Sequence, residues 1–468
     1  MKSIKPVLIS GREVHPIIEG GKGVAVSNGR SAGAFAAAGC VGTFSGVNAD
    51  SYDAQGNPIP QVYHSKTRKE RFEELIAYAI EGGIAQARIA HEASNGEGRL
   101  HMNTLWEAGG TERIIHGVLE GAKGLIHGVT CGAGMPYKMA ELAAQYNVYY
   151  YPIVSSMRAF RALWKRSYSK YANLLGGVVY EDPWKAGGHN GLSNAERHDE
   201  PQDPFPRVAE IRKFMNSVGL NDVPVIMAGG VWYLRDWDEW LDNPEIGPVA
   251  FQFGSRPLLT QESPIPDHWK QRLLNLKEGD ISLNKYSPTG FYSSQLNNDF
   301  LKELGARASR QVVFARKPTE DLSAEVKVGA RGRPIYVAPD QQASVEGWIA
   351  AGYTEGMRTP DDTMIFVTPE RSREILADQA ACMGCLSACN FSNWADNEEN
   401  TTGRLADPRS FCIQKTLQDI AHGGSVDNNL AFAGHNAFKF ANDPIFQSGR
   451  EGKFPTVEQL IQQILTGN

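Results

Sequence analysis

Two apolar stretches, Pro224-Val225-Ile226-Met227-Ala228-Gly229-Gly230 and Phe251-Gln252-Phe253-Gly254-Ser255-Arg256, each read as a buried strand that stops abruptly at glycine. They lie about 25 residues apart, the spacing of a strand–helix–strand unit in a parallel barrel. An earlier strand, Leu175 to Tyr180, leads into Gly187-Gly188-His189-Asn190-Gly191. Backbone N–H groups freed at such strand ends, with no Cβ in the way, can cradle a phosphate. The pattern therefore predicts a phosphate-bearing ligand held beside a histidine.

Eight short apolar segments precede residue 260: His15–Glu19, Cys40–Ser45, Leu100–Asn103, Leu125–Thr130, Val148–Ile153, Leu175–Tyr180, Val223–Ala228 and Val249–Phe253. Helical patterns lie between most of them. Lys69 to Ala93 carries Phe72, Leu75, Ile76, Ala79 and Ile80 at helical spacing, with Gly82-Gly83 as a weak middle. Met135 to Gln145 has Pro136 in its first turn, and Pro206–Val218 and Arg235–Leu241 follow the sixth and seventh strands. The alternation predicts an α/β fold, a (β/α)8 TIM barrel over residues 1–265, although a doubly wound sheet would alternate in the same way. Residues 266–468 are expected to form a smaller mixed C-terminal subdomain. Its short strands are predicted at Gln311–Ala315 and Pro334–Val337, with helix in part of 346–380 and an amphipathic helix at Val457–Leu465 packing back on the barrel. Asp50–Thr67 and Asp396–Gly403 read as surface loops.

The net charge of −6 argues against a nucleic-acid binder, whose footprint would be basic. No apolar run approaches the roughly 20 residues that span a bilayer, so no membrane partner is expected. Met1 to Pro6 lacks the apolar core of a signal peptide, and the expected compartment is the cytoplasm. Homo-oligomerisation is left open.

In a parallel barrel the active site lies at the C-terminal ends of the strands. Those ends read, in order, Glu19-Gly20-Gly21-Lys22-Gly23, Asn103, Cys131-Gly132-Ala133-Gly134-Met135-Pro136, Ser155-Ser156, His189, Gly229-Gly230 and Gly254-Ser255-Arg256. Glycine clusters at so many strand ends are costly unless a ligand approaches the backbone there. From about residue 15 to 265 this order of motifs resembles the nitronate monooxygenase family (formerly 2-nitropropane dioxygenases) and its flavin-dependent enoyl-acyl-carrier-protein reductase relatives. The shared pieces are the opening Ile17–Asn28 stretch, the Gly132–Pro136 turn, the Ala186–Gly191 loop, Pro224–Gly230, and Gln252–Arg256 followed by Glu262-Ser263. Ala433–Ala437 is a weaker echo of the family's closing helix.

The resemblance implies an FMN-dependent oxidoreductase acting on a small-molecule substrate. It would place the FMN phosphate on Gly229, Gly230, Gly254 and Ser255, and the isoalloxazine ring beside Asn103 and Gly20, Gly21, Lys22 and Gly23. Gly188 joins these cofactor contacts, and His189 stands at the family's active-site histidine, as a base or as a group that positions an anionic substrate. Two departures stand out: Lys22 where relatives often carry methionine, and Glu19 where an uncharged polar residue is common. A cation beside the flavin's pyrimidine edge would stabilise its reduced anion. The leading expectation is oxidation of nitronates or nitroalkanes with O2. The alternative is an NAD(P)H-dependent flavin/iron–sulfur reductase of an enoyl thioester or other activated alkene, and a third reading is a non-catalytic flavin- or nucleotide-binding protein.

Six cysteines in 468 residues do not make a disulfide scaffold. Cys40 and Cys131 stand alone, whereas Cys382, Cys385, Cys389 and Cys412 cluster late. Four thiolates suit a [4Fe–4S] cluster or tetrahedral zinc. The spacing of the first three resembles the cluster motif of iron–sulfur flavoenzymes such as the bacterial dienoyl-CoA reductases, with a longer gap to the fourth. A cluster there implies a one-electron donor or acceptor protein as partner. Among the remaining candidates, Cys131 reads as a small buried thiol and His101, His116 and His127 as core or surface histidines. Arg256 fits a structural salt bridge as well as a phosphate contact. Trp232, Trp237 and Trp240 read as packing for a helix against the barrel, with Trp232 also placed where it could lean over the site.

Overall fold

The structure, a computed structural model, describes residues 2–467. Eight parallel strands close into a barrel: β1 (Ile17–Glu19), β2 (Val41–Ser45), β3 (Arg99–Leu105), β4 (Gly128–Gly132), β5 (Tyr149–Val154), β6 (Val178–Glu181), β7 (Val225–Ala228) and β8 (Val249–Phe253). Closure is made by β8 against β1, with Phe251 opposite Ile17 and Phe253 opposite Glu19. That ladder selects the barrel over the doubly wound sheet. The interior is filled by Ile18, Val41, Tyr151, Val179, Ile226 and Ala250, while alternate residues such as Phe44, Val178 and Phe251 face the helices. Strands buried on both faces read as unbroken apolar runs, which is why the sequence revealed them.

Six helices, α1 (Gly29–Ala37), α2 (Arg68–Ala93), α3 (Thr111–Gly121), α4 (Met139–Gln145), α5 (Met157–Arg166) and α6 (Pro204–Ser217), fill the crossovers as far as β7. A capping box starts α2: the Thr67 side chain accepts from Glu70 N, and the Glu70 side chain takes the Thr67 backbone N–H. The expected weak middle of this helix is a contact instead. A Cβ on Gly82 would stand 1.8 Å from Ala49 O, so glycine lets the helix lie against the loop after β2. Helix α4 begins at Met139, later than expected, because Pro136 belongs to a turn whose carbonyl accepts from Met139 N at 3.2 Å. The segment expected as the helix Arg235–Leu241 is the 3₁₀ stretch Leu234–Trp240.

A hairpin unforeseen in the sequence, Val7–Ile9 with Arg12–Val14, plugs the N-terminal end of the barrel. Ser10 Oγ lies 2.9 Å from His101 Nε2 and 2.7 Å from Tyr151 Oη. Burial pushes the His101 imidazole down to about 3, so it is a neutral core histidine.

Beyond the barrel, Ile281–Asn284 and Ser293–Leu296 pair and recruit Gly188–His189 as a third strand. Gln311–Val313, Thr363–Val367 and Glu355–Arg358 form a second sheet, and Ala324–Val328 pairs with Arg333–Val337. These strands, with the helix Gln342–Ala350, enclose a small core of their own around Val312, Val326, Val337 and Phe366. Thus 346–380 is only partly helical, with two strands at its centre. Among the described residues no helix is long and apolar enough to cross a membrane.

The chain's last segments lock onto the end of β8. Arg256, 1% exposed, places Nη2 3.0 Å from Asp443 Oδ2, whose side chain is 0% exposed. Trp232 Nε1 donates to the same oxygen at 2.9 Å, and Gln463 of the helix Val457–Thr466 bonds both partners. Arg256 is therefore the structural ion pair of the two sequence readings. Removing one partner of such a pair leaves a buried uncompensated charge, a loss of about 3–5 kcal/mol. Arg256→Met is expected to lower unfolding free energy by about that amount in urea titrations, with Arg256→Met/Asp443→Leu recovering part of it. A loss under about 1 kcal/mol, the worth of an exposed pair, would refute this role.

Candidate functional site

The C-terminal strand ends enclose a cavity of about 230 Å³. Gly20, Gly21, Lys22 and Gly23 line it after β1, Asn103 on β3, Gly188 and His189 after β6, Gly229 and Gly230 after β7, and Gly254 and Ser255 after β8. The residues singled out for cofactor and catalysis thus share one enclosure.

One side of this cavity is built from backbone. Gly229 and Gly230 take φ of +88° and +79°, left-handed values that turn the chain sharply at the end of β7. Among the described residues, the amides of Gly229, Gly230, Gly254 and Ser255 find no acceptor. The loop opposite is shaped by Asp182, whose Oδ1 accepts from Trp184 N at 2.9 Å and Lys185 N at 3.0 Å. Across it lies Ala433–Ala437, the weak echo noted in the sequence. Gly434 N donates to Ser255 Oγ at 3.1 Å, His435 N to Lys185 O at 3.0 Å, and Asn436 Nδ2 to Gly230 O at 2.7 Å. Four amides without acceptors suit a phosphate. Gln414 Nε2, buried without a partner on a residue lining the same cavity, suits a carbonyl-bearing ligand. The residues present fit FMN.

His189 is not on a loose loop but in the short strand paired with Ser293. Its Nε2 lies 2.7 Å from Ser287 Oγ, and its ring centroid 5.5 Å from that of Phe432. Burial pulls this imidazole down to about 4, so it is neutral at ordinary pH. Lys22 is not a free cation: its Nζ donates to Glu19 Oε1 at 2.6 Å and to Gly20 O at 3.2 Å. Glu19 also accepts from Ser31 Oγ at 2.7 Å. The two departures noted in the sequence therefore compensate each other as one buried pair, which removes the argument for an uncompensated charge beside a flavin.

Sequence reasoning missed Glu181, at the end of β6 and on the cavity wall. Burial, with the Asp182 carboxylate adding to it, pushes its carboxyl up to about 8. It also missed Ser287 and Gln414. A polar residue ending an apolar strand was the available signal for Glu181; the other two carry none. Trp232 joins the cavity wall as well as packing. Cys131 is fully buried, and burial lifts its thiol to about 12.

Cys382, Cys385, Cys389 and Cys412 converge on a second, smaller cavity of about 20 Å³. Cys385 and Ile413 line both cavities. Among the described residues, no three His, Cys, Asp or Glu side chains are grouped closely enough to hold a metal ion.

The family model for nitronate monooxygenase matches residues 6–356. Comparison with curated proteins gives no match. Similar solved structures include FabK from Thermotoga maritima, at 18% identity over 62% of this chain and 74% of that one, with a TM-score of 0.41. A nitroalkane oxidase from Streptomyces ansochromogenes is 16% identical over 65% and 80%, with a TM-score of 0.43. The enoyl reductase domain of MlnA from Bacillus amyloliquefaciens is 10% identical over 97% and 94%, with a TM-score of 0.49.

A carboxyl whose folded value is raised costs stability as pH climbs from its ordinary value, 4.5, through about 8. Glu181→Gln is therefore expected to match the parent near pH 4 and to melt progressively higher than it up to about pH 8 in flavin-free protein. A stability difference that does not change with pH would show that Glu181 is ionised in the fold.

Proposed function

From the premise that the chain belongs to the nitronate monooxygenase family, whose model it matches over residues 6–356, we propose that it is an FMN-dependent oxidoreductase that oxidises nitronates with O2. The observation that carries this reading is the junction, in one cavity, of four acceptor-less amides with a buried neutral histidine. Gly229, Gly230, Gly254 and Ser255 would hold the phosphate. Asn103, Gly20–Gly23 and Gln414 would border the ring system. Bound there, FMN would supply the acceptor for the substrate's electrons and the centre at which O2 reacts.

The chain's own part follows from His189. With Nε2 engaged by Ser287, Nδ1 is the nitrogen left for substrate. If Ser287 donates to Nε2, Nδ1 carries the proton and donates to a nitronate oxygen; in the other tautomer Nδ1 accepts a proton. A nitrogen held near 4 is a weak base for removing a carbon-bound proton from a neutral nitroalkane at pH 7. The site is thus better suited to binding a nitronate already ionised in solution. An anion in contact would in turn favour the imidazolium. Phe432, with its ring centroid 5.5 Å from that of His189, would give an apolar wall beside the substrate.

A second reading is favoured by the four-cysteine cavity that abuts this one: an NAD(P)H-dependent reductase of an enoyl thioester or other activated alkene. Its test is bleaching of bound flavin by anaerobic NADH or NADPH; flavin that stays oxidised with both removes it.

For the leading reading, preformed nitronate is expected to release nitrite faster than the parent nitroalkane at pH 7. His189→Ala is expected to lower kcat/KM for nitronate by about 10²-fold or more while flavin stays bound. No nitrite from flavin-loaded protein at any pH would end this reading. Gly229→Val, whose Cβ would stand 2.9 Å from Ala186 N at a left-handed φ, is expected to purify with little flavin. Unchanged flavin content would move the phosphate elsewhere.

A further inference from the structure

We propose that Cys382, Cys385, Cys389 and Cys412 ligate a [4Fe–4S] cluster in the small cavity beside the barrel mouth, independently of what fills the larger cavity. The loop that carries the first three cysteines is tied down on the barrel. Arg71 of α2 donates through Nε to Cys382 O at 3.0 Å and through Nη2 to Ala380 O at 2.8 Å. Gly109 N, in the loop after β3, donates to Cys385 O at 3.1 Å. Cys389 N donates to Trp394 O at 2.9 Å, folding the loop over the indole, whose ring centroid lies 5.1 Å from that of Phe72 with the planes tilted by 55°. Gly384, at φ +75°, lies so close that a Cβ would stand 2.6 Å from the Trp394 ring. The fourth cysteine arrives from elsewhere, as the residue preceding the helix Ile413–Ala421. Two distant segments thus deliver four thiols to the wall of one void.

The shared void bears on the occupant. Zinc draws four sulfurs to about 2.3 Å from one centre, which crowds them against one another. Here all four cysteines line one cavity. In a cubane an iron stands between each thiolate and the centre, so its thiolates surround a void rather than a point. The wall offers a partner for the cluster's sulfides as well. Trp394, 0% exposed and lining the cavity, has an indole N–H with no acceptor. Hydrogen bonds to cluster sulfur are among the features that set a cluster's potential. Cys385 and Ile413 belong to both cavities, so the cluster would share a wall with the barrel site.

The test is iron and acid-labile sulfide analysis of the full chain, purified anaerobically and reconstituted with ferrous iron and sulfide, with EPR after dithionite. Expected are about four irons and four sulfides per chain, with a reduced-cluster EPR signal. Cys385→Ser and Cys412→Ser should each lose most of this content, while Cys40→Ser, whose thiol is buried away from the cavity, keeps it. Circular dichroism shows whether each variant has folded. Reconstituted, folded parent protein without iron and sulfide would overturn the proposal. So would one zinc per chain without sulfide, or a content unaffected by either cysteine substitution. None of these readouts depends on flavin or nitrite, so failure here is separable from failure of the function proposed above.

Discussion

The pairing of β8 with β1 is the constraint from which the rest of the molecule follows. Once Phe251 lies opposite Ile17 and Phe253 opposite Glu19, eight strands point the same way around a closed ring. Side chains such as Ile18, Tyr151 and Ile226 fill the interior, so no ligand can sink into it. A ligand must sit on the rim, where the backbone turns away from the ladder and its amides lose their partners. The acceptor-less amides after β7 and β8 are the direct product of that geometry. Glycine at those turns leaves its amides uncovered by any Cβ of their own residue.

The rim also governs how charge is handled. Glu19 ends β1 in a fully buried position, and Lys22 folds back over it three residues later. Arg256 follows β8 and is matched by Asp443 from the far end of the chain. Glu181 ends β6 with no such cation, and its carboxyl is accordingly pushed toward the neutral form. Two strand ends thus carry matched ion pairs and a third carries a carboxyl that avoids ionisation. Lys185 and Glu107 also line the cavity, so the rim carries ionisable side chains beyond these three strand ends.

Much of the barrel was legible because a parallel strand buried on both faces leaves an unbroken apolar run, as at Val225–Ala228 and Val249–Phe253. The boundaries were not, since β3 extends to Leu105 and β4 to Gly132 through small or polar residues that still pair. The glycine rim and His189 were legible through their order along the chain. The partner that holds His189, Ser287, lies in a connection with no periodicity, and nothing local marks it. The strands Glu355–Arg358 and Thr363–Val367 escaped notice because each is short and gains its order from the other. The cysteine spacing set four thiols apart as a group, but which barrel loop they rest on depended on Arg71 and Gly109, remote in sequence.

The segment Ala433–Ala437 closes the rim against residues of the sixth, seventh and eighth crossovers. Its docking atoms, Gly434 N, His435 N and Asn436 Nδ2, meet Ser255, Lys185 and Gly230, partners made about two hundred residues earlier. During translation the barrel strands are therefore complete before the wall of the cavity has been made. A nascent barrel would expose the acceptor-less amides of its rim to solvent, without the enclosure that Ala433–Ala437 completes. A protein interrupted before residue 433 would lose that wall and, with it, Asp443, leaving Arg256 buried without its partner.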